Sequence, residues 1–224
     1  LRRDGATFPV EVRGRSVVFR GQHVRIAVVR DITERKAQEA ELARHAERLR
    51  ELSLRDELTR LYNRRGFLEL ARHQLLLAAR SRRPLAVFFA DLNGMKIIND
   101  ELGHEMGDRA LVAVANVLAK VFRSADIVAR LGGDEFAVLA VDCDDEGVNV
   151  ASARVRKLVE EYNGTSGERF QLSLSLGATV YDPNAHVDLE TLMQRADEQM
   201  YEVKRARSDR TRDRRDASRM ASGK

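Results

Sequence analysis

Apolar and polar positions follow two different periods along the chain, and the changes of period mark out its elements. Between Thr7 and Arg30 the period is two. Val10 and Val12, Val17 and Phe19, and Val24, Ile26 and Val28 stand at every second position of their runs, and Gly14 and Gly21 punctuate them. This predicts two strands turning at Gly21-Gln22, a hairpin marginal on its own and expected to complete a larger sheet. From Thr33 to about Arg55 the chain is rich in Glu, Arg, Ala and Leu and lacks Gly and Pro, which predicts a helix capped by Asp31 or Thr33. Leu42, Leu49 and Leu52 fit a and d positions with His45 at the intervening d. The helix therefore reads either as a single exposed connector or as one strand of a parallel dimeric stalk.

Beyond the connector the periods alternate between helical and extended. Helices are predicted over Glu57–Ser81, Lys96–Leu102, Asp108–Phe122, Glu146–Tyr162 and Leu189–Ala206, with Pro84 and Gly103 as breaks. Strands are predicted over Leu85–Leu92, over Asp126–Leu131 and Phe136–Val141 around Gly132-Gly133-Asp134-Glu135, and over Phe170–Tyr181. That order gives an α+β fold, a mainly antiparallel central sheet flanked by helices. Four segments result: 1–32 as the end of an upstream domain, 33–55 as the connector, 56–206 as the main domain and 207–224 as a basic tail.

Charge refines this division. Residues 205–224 hold eight basic and three acidic side chains, a surplus of five within a chain total of +4, so the remainder carries −1. The basicity belongs to a tail almost without apolar residues, which predicts disorder rather than a nucleic-acid-binding face. The one cysteine, Cys143, excludes an intrachain disulfide framework and a multi-thiolate metal site, and fits a reducing cytoplasm. No apolar run reaches the roughly 18 residues of a membrane span. The chain opens on Leu1 rather than Met, so it reads as part of a longer protein that could be tethered upstream.

Three segments carry candidate chemistry. Asp91 ends an otherwise apolar strand, where a buried carboxylate needs a partner and a divalent cation is a natural one. Gly132-Gly133 gives room for a ligand at a hairpin tip, and Asp134-Glu135 follow as two adjacent acids. Asn99–Asp108 reads as a polar loop between two helices, shaped by Gly103 and Gly107. If the fold brings Asp91 and Asp134 together, their oxygens select Mg²⁺ or Mn²⁺, ions that clamp substrate phosphates, with Lys96 as a nearby point charge. This chemistry fits nucleotidyl transfer or hydrolysis alike, and Gly132-Gly133-Asp134 taken alone also fits a plain hairpin turn.

Together the segments resemble the GGDEF family of diguanylate cyclases. Gly132-Gly133-Asp134-Glu135-Phe136 is similar to its signature, Asp56–Arg65 to its opening motif, Asp91–Asp100 to its metal segment, and Gly103-His104 through Gly107-Asp108 to its loop. The resemblance implies a nucleotidyl-cyclase, palm-like fold that joins two GTP into cyclic di-GMP across a homodimer. It implies that Asp91, Asp134 and the Leu92 carbonyl bind Mg²⁺, that Asn99 and Asp108 read the guanine edge, and that Lys96 and Lys204 hold phosphates. Gly132 and Gly133 would admit the substrate, and Glu135 would assist the metal or deprotonate the attacking hydroxyl. Arg123-Ser124-Ala125-Asp126 resembles the family's inhibitory RxxD site for cyclic di-GMP. Asn93 departs from the usual second Asp of the metal segment, and Ser208 stands where a phosphate-contacting arginine is expected, with Arg207 or Arg210 as substitutes. Residues 1–32, with Arg3-Asp4-Gly5, Phe8-Pro9-Val10 and Arg30–Lys36, resemble the end of a PAS sensor domain. The alternative to an enzyme is an inactive receptor for GTP or cyclic di-GMP. Neither reading includes a specific nucleic acid or a membrane segment in this stretch.

Overall fold

The computed structural model describes residues 7–185 and 187–221, and the chain divides into two units, Leu1–Ser53 and Leu54–Lys224. In the first unit, strand β1 (Val10–Phe19) pairs antiparallel with β2 (Gln22–Asp31) without interruption from Val10↔Asp31 to Phe19↔Gln22. The turn is Arg20-Gly21, with φ of 51° and 75°, and not the predicted Gly21-Gln22. Two left-handed residues give the twist that a two-residue hairpin needs, so the turn takes an arginine into that region. Val12, Val18, Ile26, Val28 and Val29 remain exposed. Helix α1 (Thr33–Ser53) follows, its first turn held by Asp31, whose Oδ1 accepts from the Thr33 N–H at 2.8 Å. Leu42 is exposed; the Leu49 and Leu52 side chains, and Arg3-Asp4-Gly5, lie outside the described residues.

The second unit opens with a loop where the sequence predicts helix from Glu57. Asp56 Oδ1 accepts from the Thr59 N–H at 2.8 Å and hydroxyl at 2.7 Å. The Arg60 N–H donates to the Asp56 carbonyl, and Arg60 takes φ 63°. These local bonds compete with helix, as short polar side chains do. Helix α2 (Arg64–Ser81) therefore starts only at Asn63, whose Oδ1 accepts from the Gly66 N–H.

Next come strand β3 (Leu85–Leu92), helices α3 (Met95–Leu102) and α4 (His104–Val121), and strands β4 (Ile127–Gly132) and β5 (Glu135–Val141). Helix α5 (Asp145–Thr165), strand β6 (Leu174–Tyr181) and helix α6 (Leu189–Ala221) complete the order. The sheet runs β4-β5-β3-β6, each neighbouring pair antiparallel, so the α+β expectation holds. All residues of the central strand β3 are buried. Ala86, Phe88 and Ala90 meet Leu111 and Leu118 of α4 and Val155 of α5 on one face. Val87 and Phe89 meet Phe67 and Ala71 of α2 and Leu192 and Ala196 of α6 on the other. Covering both faces turns the alternation into a continuous apolar run.

Three further boundaries differ from the sequence reading. The polar loop predicted over Asn99–Asp108 is helix on both sides of Gly103, which alone joins α3 to α4 with φ 90° and ψ 160°. β6 starts at Leu174 rather than Phe170, because the Asn163 side chain accepts from the Leu172 N–H and donates to its carbonyl, replacing a strand partner. α6 runs to Ala221, past the predicted end at Ala206 and through the stretch expected to be disordered; no Gly or Pro stands between Arg207 and Ala221 to stop it. Among the described residues, no helix is long and apolar enough to cross a membrane.

α6 lies against β6 at backbone contact. A Cβ on Gly177 would meet the Met200 nitrogen at 2.2 Å and the Ala196 carbonyl oxygen at 2.4 Å. Both obstacles are backbone, so Gly177→Ala is expected to lower unfolding stability by about 1–3 kcal/mol, read as a lower urea midpoint.

Candidate active site

The apolar pattern of β3 ends on an acid. Asp91 is 4% exposed and pairs in register with Glu135 of β5 on one side and Ser175 of β6 on the other. Its side chain shares the face of Val87 and Phe89, the face that α6 covers, and Lys204 of α6 reaches it: Nζ donates to Oδ2 at 2.7 Å. Oδ1 is buried and has no hydrogen-bond partner. A carboxylate so placed costs several kcal/mol to desolvate unless its oxygens are matched.

The β4–β5 hairpin brings the remaining acids to this point. Gly132 pairs with Glu135, leaving Gly133-Asp134 as the tip, and φ values of 150° at Gly132 and 54° at Gly133 give the sharp reversal. The Leu92 N–H donates to the Asp134 carbonyl at 3.0 Å, tying the tip to the end of β3. Backbone pairing thus brings Asp91, Leu92, Asp134 and Glu135 to adjoining positions. Burial raises the Glu135 carboxyl above its ordinary value; Asp197, Asp134 and Asp91 add to the rise, and Arg64 opposes it.

Sequence reasoning missed the residue that holds the tip. Arg130 donates to the Gly133 carbonyl from Nε at 3.0 Å and from Nη2 at 2.8 Å. Its Nη1 faces both Asp56 oxygens at 3.3 and 3.4 Å. For Asp56, burial opposes ionisation, but the Thr59 hydrogen bonds and Arg130 outweigh it and leave the carboxyl below its ordinary value. The Tyr62 N–H donates to the Val128 carbonyl and the Arg130 N–H to the Tyr62 carbonyl, so the opening loop pairs with β4 as well. The available signal was an arginine within a short apolar strand beside two glycines, with an Asp-x-x-Thr turn elsewhere to receive it.

The other predicted residues surround this point or stand apart from it. Gly94, at φ 78°, turns the chain from β3 into α3, and Lys96 lies exposed on the first turn of that helix. Asn93 stitches the end of β3 to the approach of β6: its Nδ2 donates to the Ser173 carbonyl, and the Ser175 hydroxyl donates to its Oδ1. That work suits an amide, which donates and accepts at once. Asn99 Oδ1 is buried without a partner, and a Cβ on Gly107 would lie 2.0 Å from it; Gly107 thus leaves the space that the amide fills. Asp108 is exposed on α4 and lines a cleft with Glu105 and Tyr162. His104 starts α4, within the loop the sequence expected.

Arg123 and Asp126 lie elsewhere. Asp126 accepts from the Arg123 N–H at 2.7 Å and from the Val141 N–H at 3.0 Å. Val141 pairs with Leu85, at the end of the sheet opposite the Asp91–Glu135 pair, about 20 Å away along the strand. The Arg123 side chain is exposed. Ser208 and Arg210 lie outside the described side chains.

A hard cation fits the β3–β5 convergence, because Asp91 offers an unmatched buried oxygen beside a second carboxylate and a backbone carbonyl. Among the described residues, no three His, Cys, Asp or Glu side chains form a cage of their own. A cation here would keep open positions for water and phosphate oxygens, the usual state of a phosphate-bound magnesium ion.

The model of the diguanylate cyclase, GGDEF domain family matches residues 53–210. The diguanylate cyclase DosC of Escherichia coli strain K12 is 38% identical over 152 residues, which make 67% of this chain and 33% of DosC. The chain thus spans about a third of that relative's length. The solved structure of the diguanylate cyclase SiaD with its activator SiaC, from Pseudomonas aeruginosa, superposes with a TM-score of 0.66 at 30% identity, covering 78% of this chain and 66% of SiaD. The coiled coil and GGDEF domain of DgcB from Caulobacter crescentus, solved with c-di-GMP, has a TM-score of 0.68, covers 78% of this chain and 93% of its own, and at 24% identity shares the fold.

Because the folded Glu135 carboxyl binds its proton more tightly than in the unfolded chain, its contribution to stability is full at low pH and is lost as pH rises through the folded value. In buffer free of divalent ions, Glu135→Gln is expected to be more stable than the parent chain at pH 7. Thermal melts across pH should show that advantage vanishing below the ordinary carboxylate range.

Proposed function

The chain belongs to the GGDEF family, and from that membership we propose that it is a diguanylate cyclase, condensing two GTP into cyclic di-GMP with release of two pyrophosphates. The observation that carries this reading is the unmatched, buried Asp91 oxygen set beside the Gly133-Asp134 tip. Asp91, Asp134 and the Leu92 carbonyl would hold Mg²⁺ or Mn²⁺, with Glu135 assisting. When bound, the ion supplies positive charge to the triphosphate.

The chain's own residues do the positioning. Asn99 and Asp108 read the guanine edge; an Asp that accepts from guanine N1–H and its amino group has no such partners in adenine, and unpaired polar groups discriminate strongly. Lys96 and Lys204 meet the phosphates as point charges. Arg130 and Asp56 keep the tip in shape, since its position sets where Asp134 points. The 3′-oxygen of one GTP attacks the α-phosphate of the other, forming one P–O bond as the bond to pyrophosphate breaks, and a second such step closes the ring. Each domain supplies one nucleotide, so the reaction needs two domains face to face, and alignment contributes much of the rate. A homodimer follows, for which a paired α1 is the natural stalk.

Arg123 and Asp126 make the second site of this reading, an inhibitory one for cyclic di-GMP. Their separation from the Asp91 end of the sheet supports it, because a product bound there leaves the substrate position open. Asp126 is already engaged by two backbone N–H groups, so the exposed Arg123 guanidinium supplies most of the grip, on phosphate or guanine face. The hairpin β1–β2 is read as the last strands of a PAS domain; its exposed valines and isoleucine on both faces suit a strand pair made for a larger sheet.

Incubation with GTP and Mg²⁺ followed by chromatography should yield cyclic di-GMP, and Asp134→Asn should reduce it at least 100-fold, roughly the loss of a main electrostatic contributor. A parent chain that binds GTP and yields no product is instead a receptor. Arg130→Ala should retain nucleotide binding yet lose about tenfold or more in turnover, because a small misplacement of reacting groups is costly; unchanged turnover would remove Arg130 from the positioning role.

A further inference from the structure

The two oxygens of Asp91 face different surroundings. Oδ2 accepts from Lys204 Nζ at 2.7 Å, and Oδ1 is buried without a partner. The Asp91 side chain is 6% exposed and the Lys204 side chain 40%. Asp91 is therefore largely shielded from water, whereas Lys204 is not. The lysine stands on a helix whose backbone is locked against β6 at Gly177, so any movement of its charge belongs to its flexible four-carbon stem. An ammonium and a divalent cation drawn to the same carboxylate repel each other at contact distance, in a partly buried setting where such repulsion is weakly screened.

We propose that Lys204 is the built-in counter-ion of Asp91, displaced by the divalent cation and received by the triphosphate, so that metal and nucleotide load together rather than in succession. This rests on Asp91 being a metal ligand, as proposed above. A metal ion arriving alone must compete with Lys204 for the carboxylate and expel its ammonium into water, with no anion there to receive it. Arriving with a nucleoside triphosphate, it exchanges places with an ammonium that finds phosphate oxygens within the sweep of its stem. Coupling of this kind is reciprocal: the nucleotide raises metal affinity by the factor that the metal raises nucleotide affinity. The free chain is then disfavoured from holding a bare cation at Asp91 between turnovers.

The test is the affinity for Mn²⁺ alone, followed by electron paramagnetic resonance of the free ion on the full chain without nucleotide. Lys204→Ala and Lys204→Gln should each bind Mn²⁺ at least about tenfold more tightly than the parent, as expected when a nearby like charge is removed. The glutamine keeps a donor for Oδ2, so the comparison survives if the alanine variant folds poorly. Adding Asp91→Asn to either variant should abolish the gain, which places the bound ion. With a GTP analogue that cannot react, the parent should gain more Mn²⁺ affinity than the variants do. Equal Mn²⁺ affinity in parent and variants without nucleotide, with Asp91→Asn still lowering it, overturns the exchange and leaves the ligand assignment standing. Absence of Mn²⁺ binding in every protein, analogue present, overturns the ligand assignment and the exchange with it.

Discussion

A carboxylate buried at the end of the central strand is the constraint on which this molecule is built. β3 is covered on both faces, and seven of its positions are apolar while Asp91 is not. An ion in that position is tolerated only where charge and hydrogen bonds come to meet it. Lys204 comes from α6, more than a hundred residues away in sequence, and it arrives only because Gly177 lets α6 sit on β6 at backbone distance. The hairpin tip comes from the other flank through the Leu92–Asp134 backbone bond. One oxygen is still left over, and that residual need gives the site its chemical direction.

The hairpin tip in turn depends on residues outside it. Left-handed glycines make the reversal possible but do not make it rigid. Rigidity comes from Arg130, which grips the Gly133 carbonyl and is itself fixed by Asp56. Asp56 is held by Thr59 in a loop that also pairs with β4. The opening segment of this unit is thus built into the site's support, which explains why a stretch that reads as helix is spent on a turn.

Much of this was legible in the chain because the signals are local. Unbroken apolar runs located β3 and β5, glycines located the tip, and helical periodicity located α4 and α5. Asp91 and Asp134 stood out because acids at the ends of apolar strands have few structural explanations. Elements set by a distant or side-chain partner were harder to see. The Glu57–Asn63 loop has helical composition and is overridden by Asp56, Thr59 and a bridge from Tyr62 to Ala129. Leu172 alternates like a strand residue, yet Asn163 satisfies its backbone. Arg130 looked like an ordinary strand residue because Asp56, which fixes it, lies 74 residues away in sequence.

Gly103 ties two helices together by itself. Asn99 ends its reach on one side of it and Asp108 begins on the other, so the angle between the two proposed guanine contacts is governed by a single pair of backbone torsions. A hinge of one residue has no slack. Lengthening it by even one amino acid would add a second pair of torsions and release the fixed angle between α3 and α4. Under the proposed roles of Asn99 and Asp108, base choice depends on the shortness of this connection as much as on the identity of the groups it presents.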